Sequence, residues 1–289
     1  MNILVIGSSG LLGKTIVKKF QKNEMWNVFH NGLRKKRVDL KTQKNVKKII
    51  FETKPNLIIN CSAMTNIEYC EKHKKKAWQI NVGIVEKIFF IKKKYNLNFN
   101  LIQFSTDQFY NSNQQYKNNE TSNIKIFNQY SYQKFKLERL CLKNKSLILR
   151  VNFFGYGTKK TESFSDWVFK SFKSKKKFYL FNDVYFNPLR IKTLSDVIIK
   201  IIKLKKHTTK GIYNIGSSDY ISKSNFSIFF AKKLNIYKKK YTLINVSNIL
   251  NVKRSKNIMM NVKKVEKWLN IKMPKIKKEI LKETQAYRK

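Results

Sequence analysis

Three tyrosine–lysine pairs have the four-residue spacing that places two side chains on one face of a helix. The pairs are Tyr130 and Lys134, Tyr132 and Lys136, and Tyr156 and Lys160. A neighbouring ammonium group favours the phenolate and lowers the pKa of a tyrosine, so such a phenol can protonate an alkoxide as it forms. With 14 tyrosines and 55 lysines in 289 residues, about two to three such pairs are expected by chance. Other features of the sequence are therefore needed to identify which pair is functional.

A strand, a glycine-rich turn and a helix open the sequence. Three of the nine glycines, at positions 7, 10 and 13, follow an apolar run at 3–6 and precede helical apolar spacing over 11–20. Glycines at such a turn let the backbone approach a pyrophosphate at the helix N-terminus. The predicted cofactor contacts are Gly7, Ser9, Gly10, Leu11, Leu12 and Gly13. The spacing is G-x-x-G-x-x-G rather than G-x-G-x-x-G, and a turn that needs glycine for packing alone is the alternative.

The second predicted strand, at 26–30, is followed by cations instead of an acid. An acid at this position would bind the adenosine ribose, whereas arginine accommodates a 2′-phosphate. Residues 31–37 contain no acid, and Arg34 is the candidate contact, so NADPH is favoured and NADH is left open. Asp39 and Leu40 are predicted to lie at the adenine.

Further strands and helices alternate along the chain. A buried strand at 56–61 leads into the small residues Cys61, Ser62 and Ala63, which leave room for a cofactor. A helix is predicted over 71–95, with a core stripe of residues 78, 82, 85 and 89. The strand at 101–104 ends in Ser105, Thr106 and Asp107. This alternation predicts an α/β fold with a doubly wound parallel sheet, whose ligands bind beyond the carboxyl ends of the strands.

The net charge of +45 invites a nucleic-acid interpretation, but the type of cation argues against it. Only seven of the 62 basic residues are arginine, which is the side chain that makes bidentate base contacts. The lysines are also spread along the whole chain. We therefore expect no specific nucleic-acid partner, although the positive field would attract anionic substrates and cofactors.

Cysteine and histidine show none of the spacings typical of metal sites or disulfide frameworks. The three cysteines, at 61, 70 and 141, are far apart, and the three histidines are isolated. The first strand begins almost at Met1, and apolar stretches such as 197–202 are too short to span a bilayer. We expect a cytoplasmic protein with no metal in its site and no membrane partner, and a metal at an interface is left open.

Taken together, these motifs resemble the extended short-chain dehydrogenases/reductases, and more narrowly the dTDP-4-dehydrorhamnose reductases. That family carries a Ser-Thr-Asp segment and then Tyr-x-x-x-Lys followed four residues later by glutamate. Tyr130, Lys134 and Glu138 match this pattern, whereas Tyr132 and Lys136 are followed by Leu140. Further similarity covers nearly the whole chain, at residues 54–60, 79–82, 147–150, 183–188, 211–215, 254–257 and 265–269.

The resemblance implies an organisation and a reaction. It implies a Rossmann-like NAD(P)-binding domain at 1–152, with return strands from about 179–215, and a substrate-binding region at 153–289. The implied reaction is NADPH-dependent reduction of the C4 ketone of a nucleotide-linked 4-keto-6-deoxyhexose, in deoxysugar and cell-surface polysaccharide biosynthesis. The catalytic residues would be Thr106, Tyr130 and Lys134, and the last two would also contact the cofactor. The substrate contacts would be Asp107, Asn152, Phe153 and Arg254.

Departures from the family pattern leave the sugar open. Gln108 stands where the family usually has tyrosine, Ser255 stands in place of a proline, and Phe153 or Phe154 replaces a tryptophan of the sugar pocket. Two other functions remain open, a nucleotide-sugar epimerase with bound NAD and a non-catalytic nucleotide-binding regulatory subunit. A homodimer is also left open.

Overall fold

A computed structural model describes residues 1–31, 38–110, 116–157 and 161–288. The strands in chain order are β1 (Asn2–Ile6), β2 (Asn27–His30), β3 (Leu57–Asn60), β4 (Asn100–Thr106), β5 (Leu147–Val151), β6 (Phe153–Phe154), β7 (Phe178–Phe181), β8 (Tyr185–Phe186), β9 (Leu189–Arg190), β10 (Gly211–Ile215), β11 (Ile221–Ser222) and β12 (Tyr241–Ile244).

The α-helices alternate with these strands over most of the chain. In order they are α1 (Leu11–Phe20), α2 (Gln43–Thr53), α3 (Ile67–Lys72), α4 (Lys74–Asn81), α5 (Gly83–Lys94), α6 (Gln129–Lys143), α7 (Phe164–Lys173), α8 (Ile191–Lys203), α9 (Lys223–Lys233), α10 (Lys263–Leu269) and α11 (Ile276–Thr284). Within the described ranges, no helix combines the length and the apolar character needed to cross a membrane.

Six strands form one sheet in the order β10-β5-β4-β3-β1-β2, which confirms the predicted doubly wound α/β fold. The pairings β1–β2, β1–β3 and β3–β4 are parallel. Ile6 lies opposite Asn60, and Asn60 lies opposite Gln103. Because parallel strands end at one edge of a sheet, the residues after β1 and β3 and the last residues of β4 share that edge.

The chain divides into two compact units. Unit 1 comprises residues 1–105, 128–149 and 195–212, and unit 2 comprises residues 106–127, 150–194 and 213–289. In unit 1 the apolar residues of β1, β3, α2 and α5 form one buried core. This core follows from the sequence, because β1 and β3 are continuous apolar runs and each helix buries only one face.

Unit 2 has a core rich in phenylalanine. Rings of Phe154, Phe164, Phe186 and Phe226 meet edge to face or tilted, with centroids 4.9 to 5.7 Å apart. Its short strands pair as β6 with β9, β7 with β12 and β8 with β11. Of the strands described after residue 152, β10 alone joins the six-stranded sheet.

The helix predicted over 71–95 is divided in the structure into α3, α4 and α5. The backbone leaves helical geometry at His73 (φ −123°, ψ 53°) and at Val82 (φ −125°, ψ −49°). Beside the second break, the buried Asn81 side chain accepts a hydrogen bond from Met64 N at 2.7 Å and donates one to Gln133 Oε1 at 2.8 Å. Periodicity could not reveal these tertiary bonds. Of the predicted stripe, the residues at 82, 85 and 89 are buried and Trp78 is half-buried.

Candidate active site

The glycine turn after β1 is built by close backbone packing. Gly7 has φ +77°, and a Cβ placed on it would lie 2.5 Å from the backbone nitrogen of Ser62. A Cβ on Gly13 would lie 2.3 Å from the carbonyl oxygen of Gly7. Both distances are far below van der Waals contact, so packing alone requires glycine at these two positions.

Gly10 has a different environment and caps α1. The nearest atom to a Cβ placed there is Gly7 O, at 3.3 Å. No side chain caps the helix, and no acid stands in its first turn. The first N–H groups of α1 are therefore available to an anion, which is the arrangement that binds phosphate groups. Around them, Ser9 is exposed, Leu11 is half-buried and Leu12 is buried.

The side chain of Asn31, at the end of β2, supports this turn. Its Oδ1 accepts a hydrogen bond from Gly7 N at 2.9 Å and a longer one from Ser8 Oγ at 3.4 Å. This role of Asn31 is not visible in the sequence, because only the pairing of β1 with β2 brings the residue to the turn.

The predicted adenine contacts lie in different surroundings. Asp39 is exposed, and its carboxylate accepts a hydrogen bond from Lys41 N at 3.0 Å. Leu40 is buried in the core of unit 1, so only its backbone remains for a ligand. Arg34 lies outside the described residues.

Cys61, Ser62 and Ala63 are half-buried at the carboxyl edge beside Gly7. Cys61 N donates to Ile6 O at 2.8 Å, which fixes the end of β3 against β1. Burial raises the pKa of the Cys61 thiol, with Lys134 opposing the shift. Cys61 is therefore a neutral thiol at physiological pH and adds no charge to the site.

Tyr130 and Lys134 lie on α6, whose first turn is held by a capping box between Asn128 and Ser131. The side chains of the pair are 7% and 3% exposed, respectively. In the alternative pair, Lys136 is exposed and its ammonium lies 5.4 Å from the ring centroid of Tyr132. Lys160 of the third pair is not among the described residues. Burial therefore distinguishes Tyr130 and Lys134 as the pair in a protected environment.

The Lys134 ammonium is held by the end of β4. Its Nζ donates to the carbonyl oxygen of Phe104 at 3.1 Å. Burial lowers the pKa of Lys134 to about 8, and the nearby Glu138 carboxylate opposes this shift. Lys134 is thus mainly protonated at neutral pH and loses its proton only slightly above physiological pH.

A chain of hydrogen bonds connects Lys134 to the loop after β3. Gln103 Nε2 also donates to Phe104 O, at 2.8 Å, and Gln103 Oε1 accepts from Asn60 Nδ2 at 2.8 Å. Asn60 Oδ1 in turn accepts from Ser62 N at 3.0 Å. Asn60 and Gln103 are fully buried and directly opposite in the sheet. Neither residue was predicted as a site residue, although a polar residue at the end of the β3 apolar run and another within β4 were the available signal.

One further observation in unit 1 fits a bound dinucleotide. The Ser105 hydroxyl is buried and has no hydrogen-bond partner in the part of the chain that the structure describes. A buried hydroxyl without a partner is costly, and a ligand at this edge would satisfy it.

In unit 2, Asp107 is 1% exposed and is held by two amides. Asn152 Nδ2 donates to Oδ2 at 2.5 Å, and Gln108 Nε2 donates to Oδ1 at 2.9 Å. Burial raises the pKa of Asp107 to about 6, against the lowering effect of these bonds. Gln108, which stands where the family usually has tyrosine, thus helps to hold the Asp107 carboxylate in place.

The other predicted unit 2 residues are Thr106, Phe153 and Arg254. Thr106 is buried, and its Oγ1 accepts a hydrogen bond from Gln108 N at 3.2 Å. Phe153 and Arg254 are half-buried. The structure brings Arg254 within electrostatic range of Lys223, a residue that the sequence analysis did not single out. Ser255, where the family has proline, donates its hydroxyl to Tyr110 O.

The strand order, the glycine turn and the buried Tyr-x-x-x-Lys pair define a Rossmann-like fold of the short-chain dehydrogenase/reductase type. The family model described as the RmlD substrate binding domain matches residues 1–288, and the chain belongs to this family.

Individual relatives include an enzyme and a subunit of another enzyme. The chain is 28% identical over 233 residues to dTDP-4-dehydrorhamnose reductase of Aggregatibacter actinomycetemcomitans, covering 78% of this chain and 76% of that protein. It is 23% identical over 276 residues to methionine adenosyltransferase 2 subunit beta of Bos taurus, covering 91% and 81%. The crystal structure of dTDP-4-dehydrorhamnose reductase from Bacillus anthracis in complex with NADP has a TM-score of 0.84, 20% identity and 98% coverage of each chain. The last comparison shows a shared fold.

Proposed function

We propose that the protein reduces the C4 ketone of a nucleotide-linked 4-keto-6-deoxyhexose with NADPH. The observation that carries this proposal is the buried Tyr130–Lys134 pair on α6, in which the Lys134 ammonium donates to the carbonyl oxygen of Phe104 in β4. Membership of the RmlD family and the likeness to a reductase support the choice of reaction.

Unit 1 would supply the groups that bind the cofactor. The free N–H groups of α1 would hold the pyrophosphate, and Ser62 and Ala63 would line the cofactor beside Gly7. The Ser105 hydroxyl would gain its missing partner there. When bound, NADPH supplies the hydride that reduces the carbonyl carbon. The preference for NADPH rests on the run of cations after β2, and the NADP-bound crystal structure supports a nicotinamide cofactor.

The proton chemistry is assigned to three side chains. Tyr130 would protonate the alkoxide oxygen as it forms, and Lys134 would favour this transfer by stabilising the phenolate left behind. Lys134 would also hold the ribose hydroxyls of the nicotinamide nucleotide. Thr106 would donate its hydroxyl hydrogen to the carbonyl oxygen, where this bond strengthens as negative charge develops. The Thr106 Oγ1 atom accepts from Gln108 N at 3.2 Å and donates to Asp107 Oδ1 over a long 3.5 Å, a weak bond that a substrate carbonyl oxygen would replace.

The substrate contacts are assigned to unit 2. Asp107 and Asn152 would bind sugar hydroxyls as one hydrogen-bonded group, and Phe153 would pack on the sugar ring. Arg254 would bind the diphosphate. We place this activity in the cytoplasm, in deoxysugar and cell-surface polysaccharide biosynthesis, and the three free cysteines are consistent with a reducing compartment.

The test is NADPH oxidation measured against a panel of nucleotide-linked ketosugars, with NADH in parallel. We expect turnover with at least one 4-keto-6-deoxyhexose and a lower KM for NADPH than for NADH. No oxidation of either cofactor across the panel would refute the reductase. An epimerase is the alternative enzyme, and it would instead copurify with tightly bound NAD⁺.

A regulatory subunit is the second candidate function. The observation in its favour is the similarity to methionine adenosyltransferase 2 subunit beta over 91% of the chain. The buried Tyr130–Lys134 pair argues against it, because a purely structural position would not need an ammonium group inside the protein. The same assay separates the two: a regulatory subunit would bind NADPH without consuming it.

The pH dependence of the reaction follows from Lys134. We expect kcat/KM to fall as pH rises through about 8, because burial lowers the pKa of Lys134 to about 8 and the neutral amine no longer stabilises the phenolate. The measurement is kcat/KM for the ketosugar from about pH 6 to 10. In Lys134→Arg, whose side chain stays charged, the residual activity should lack this decline. A flat profile for the unsubstituted protein would contradict the assignment.

A further inference from the structure

The carbonyl oxygen of Phe104, in β4, accepts hydrogen bonds from two side chains. Gln103 Nε2 donates to it at 2.8 Å, and Lys134 Nζ donates to it at 3.1 Å. The two side chains are 0% and 3% exposed, respectively. Hydrogen bonds from an ammonium group to oxygen are usually shorter than those from a neutral amide. Here the order is reversed, so Gln103 makes the closer bond and Lys134 makes the longer one.

The orientation of the Gln103 amide is fixed from its other end. Gln103 Oε1 accepts from Asn60 Nδ2 at 2.8 Å, and Asn60 Oδ1 accepts from Ser62 N at 3.0 Å. A backbone N–H can only donate, so Asn60 presents its oxygen to Ser62 and its nitrogen to Gln103. Gln103 then has to present its own nitrogen to Phe104 O. The bonded network therefore specifies that the group sharing this carbonyl with Lys134 is a donor.

A second donor on one carbonyl oxygen weakens the hold of that oxygen on an ammonium group. The Gln103 amide hydrogen occupies one of the two lone pairs of Phe104 O. Its partial positive charge also opposes the charge of Lys134, and both effects disfavour the protonated lysine. Burial acts in the same direction and lowers the pKa of Lys134 to about 8.

The charged and titratable groups that act on Lys134 come from three segments of unit 1. They are Glu138 and Cys141 on α6, Cys70 on α3 and Cys61 after β3. Burial raises the pKa of each of the three thiols, so these groups are neutral near pH 8, and the Glu138 carboxylate opposes the effect of burial on the lysine. The neutral amide at position 103 adds no net charge to this set, so its effect on the lysine is exerted through the shared carbonyl.

We propose that Gln103 is a positioning residue that acts on Lys134 through the shared Phe104 carbonyl and keeps the ammonium loosely held by the protein. A loosely held ammonium is free to turn its hydrogens towards a ligand, and it releases its proton more readily than one with a strong acceptor. The consequence for proton transfer from Tyr130 rests on the proposed function. The effect of Gln103 on Lys134 does not depend on it.

The experiment follows the titration of Lys134 in the full chain by NMR of lysine ¹³Cε, from about pH 6 to 11. The Lys134 signal is identified by its loss in Lys134→Arg. We expect Gln103→Met, which keeps the length of the side chain without the donor, to raise the titration midpoint by about 0.5 to 1 pH unit, as removal of one opposing hydrogen bond should. Gln103→Asn, whose amide is one methylene shorter and no longer reaches Phe104 O, should raise it as well.

Gln133→Met serves as the control, because Gln133 precedes Lys134 on α6 and is equally buried, at 1% exposed. Its amide accepts from Asn81 Nδ2 at 2.8 Å and donates to Lys74 O at 3.1 Å, so its acceptor is not the carbonyl that Lys134 uses. We expect this variant to lose stability, as Gln103→Met does, because both leave buried polar groups without partners. Its Lys134 midpoint should equal that of the unsubstituted protein.

An unchanged or lower Lys134 midpoint in the Gln103 variants would overturn the proposal, as would an equal rise in Gln133→Met. Thermal unfolding of each variant checks that the fold is retained, and Gln103→Asn gives a second reading if the methionine variant does not fold. In the ketosugar assay, the decline of kcat/KM at high pH should move upward together with the midpoint. If no ketosugar is reduced but the midpoint rises, the proposed function is refuted and the role of Gln103 stands.

Discussion

Replacing Tyr130 with phenylalanine is expected to reduce kcat by about 10²- to 10⁴-fold, which is the usual contribution of a positioned proton donor. The substitution removes one oxygen atom and keeps the ring in its 7% exposed position on α6, so the fold should be preserved. NADPH affinity should change little, because the glycine turn and the α1 N-terminus are untouched. The measurements are steady-state turnover with a ketosugar and fluorescence titration with NADPH.

The matched control is Tyr132→Phe, two residues away on the same helix. Tyr132 is half-buried and its ring faces the exposed Lys136, so this variant should retain kcat within about twofold of the parent. Equal turnover in Tyr130→Phe and the unsubstituted protein would mean that another group donates the proton. A large loss in both variants would point to damage to α6 instead of lost chemistry.

Replacing Gly13 with alanine is expected to damage both stability and cofactor binding. The new Cβ would lie 2.3 Å from Gly7 O, so α1 and the turn must move apart. Overpacking of this kind lowers the free energy of unfolding by about 1–3 kcal/mol. This loss exceeds the stabilisation that alanine gains over glycine from its higher helix propensity. Each 1.4 kcal/mol of lost interaction with NADPH corresponds to about a tenfold weaker Kd. Denaturant unfolding and NADPH titration measure the two effects.

Gly83→Ala is the control for this prediction. Gly83 is the first residue of α5, and the nearest atom to its added Cβ is the flexible Lys87 Nζ, at 3.4 Å. Alanine there should be neutral or stabilising by up to about 1 kcal/mol, because it reduces the entropy of the unfolded chain. If Gly13→Ala has the same free energy of unfolding and the same NADPH affinity as Gly83→Ala, the turn accommodates an added Cβ and this prediction is wrong.

The sequence alone predicted a doubly wound parallel sheet and the positions of β1, β3 and β4 along the chain. Each of these strands contains a short apolar run with local signals at its end, and α1 and α2 show their buried faces as periodicity. Gly7, Gly10 and Gly13 could be recognised because glycine is scarce in this chain and conformational freedom is a local property. The Tyr-x-x-x-Lys spacing was equally visible but matched three times, so the choice of Tyr130 needed the family pattern.

Only the tertiary structure determined which residues that lie far apart in the sequence contact one another. It showed that Tyr130 and Lys134 are the buried pair and that Asn60 and Gln103 link Lys134 to Ser62. It also divided the helix predicted over 71–95, where Asn81 bonds residues of two other segments. Strand and helix propensities act over a few neighbouring residues, whereas burial, desolvation and the pairing of charges depend on which distant segments pack together. The sequence therefore determined the elements and their candidate residues, and only the packed chain determined which of those residues share an environment.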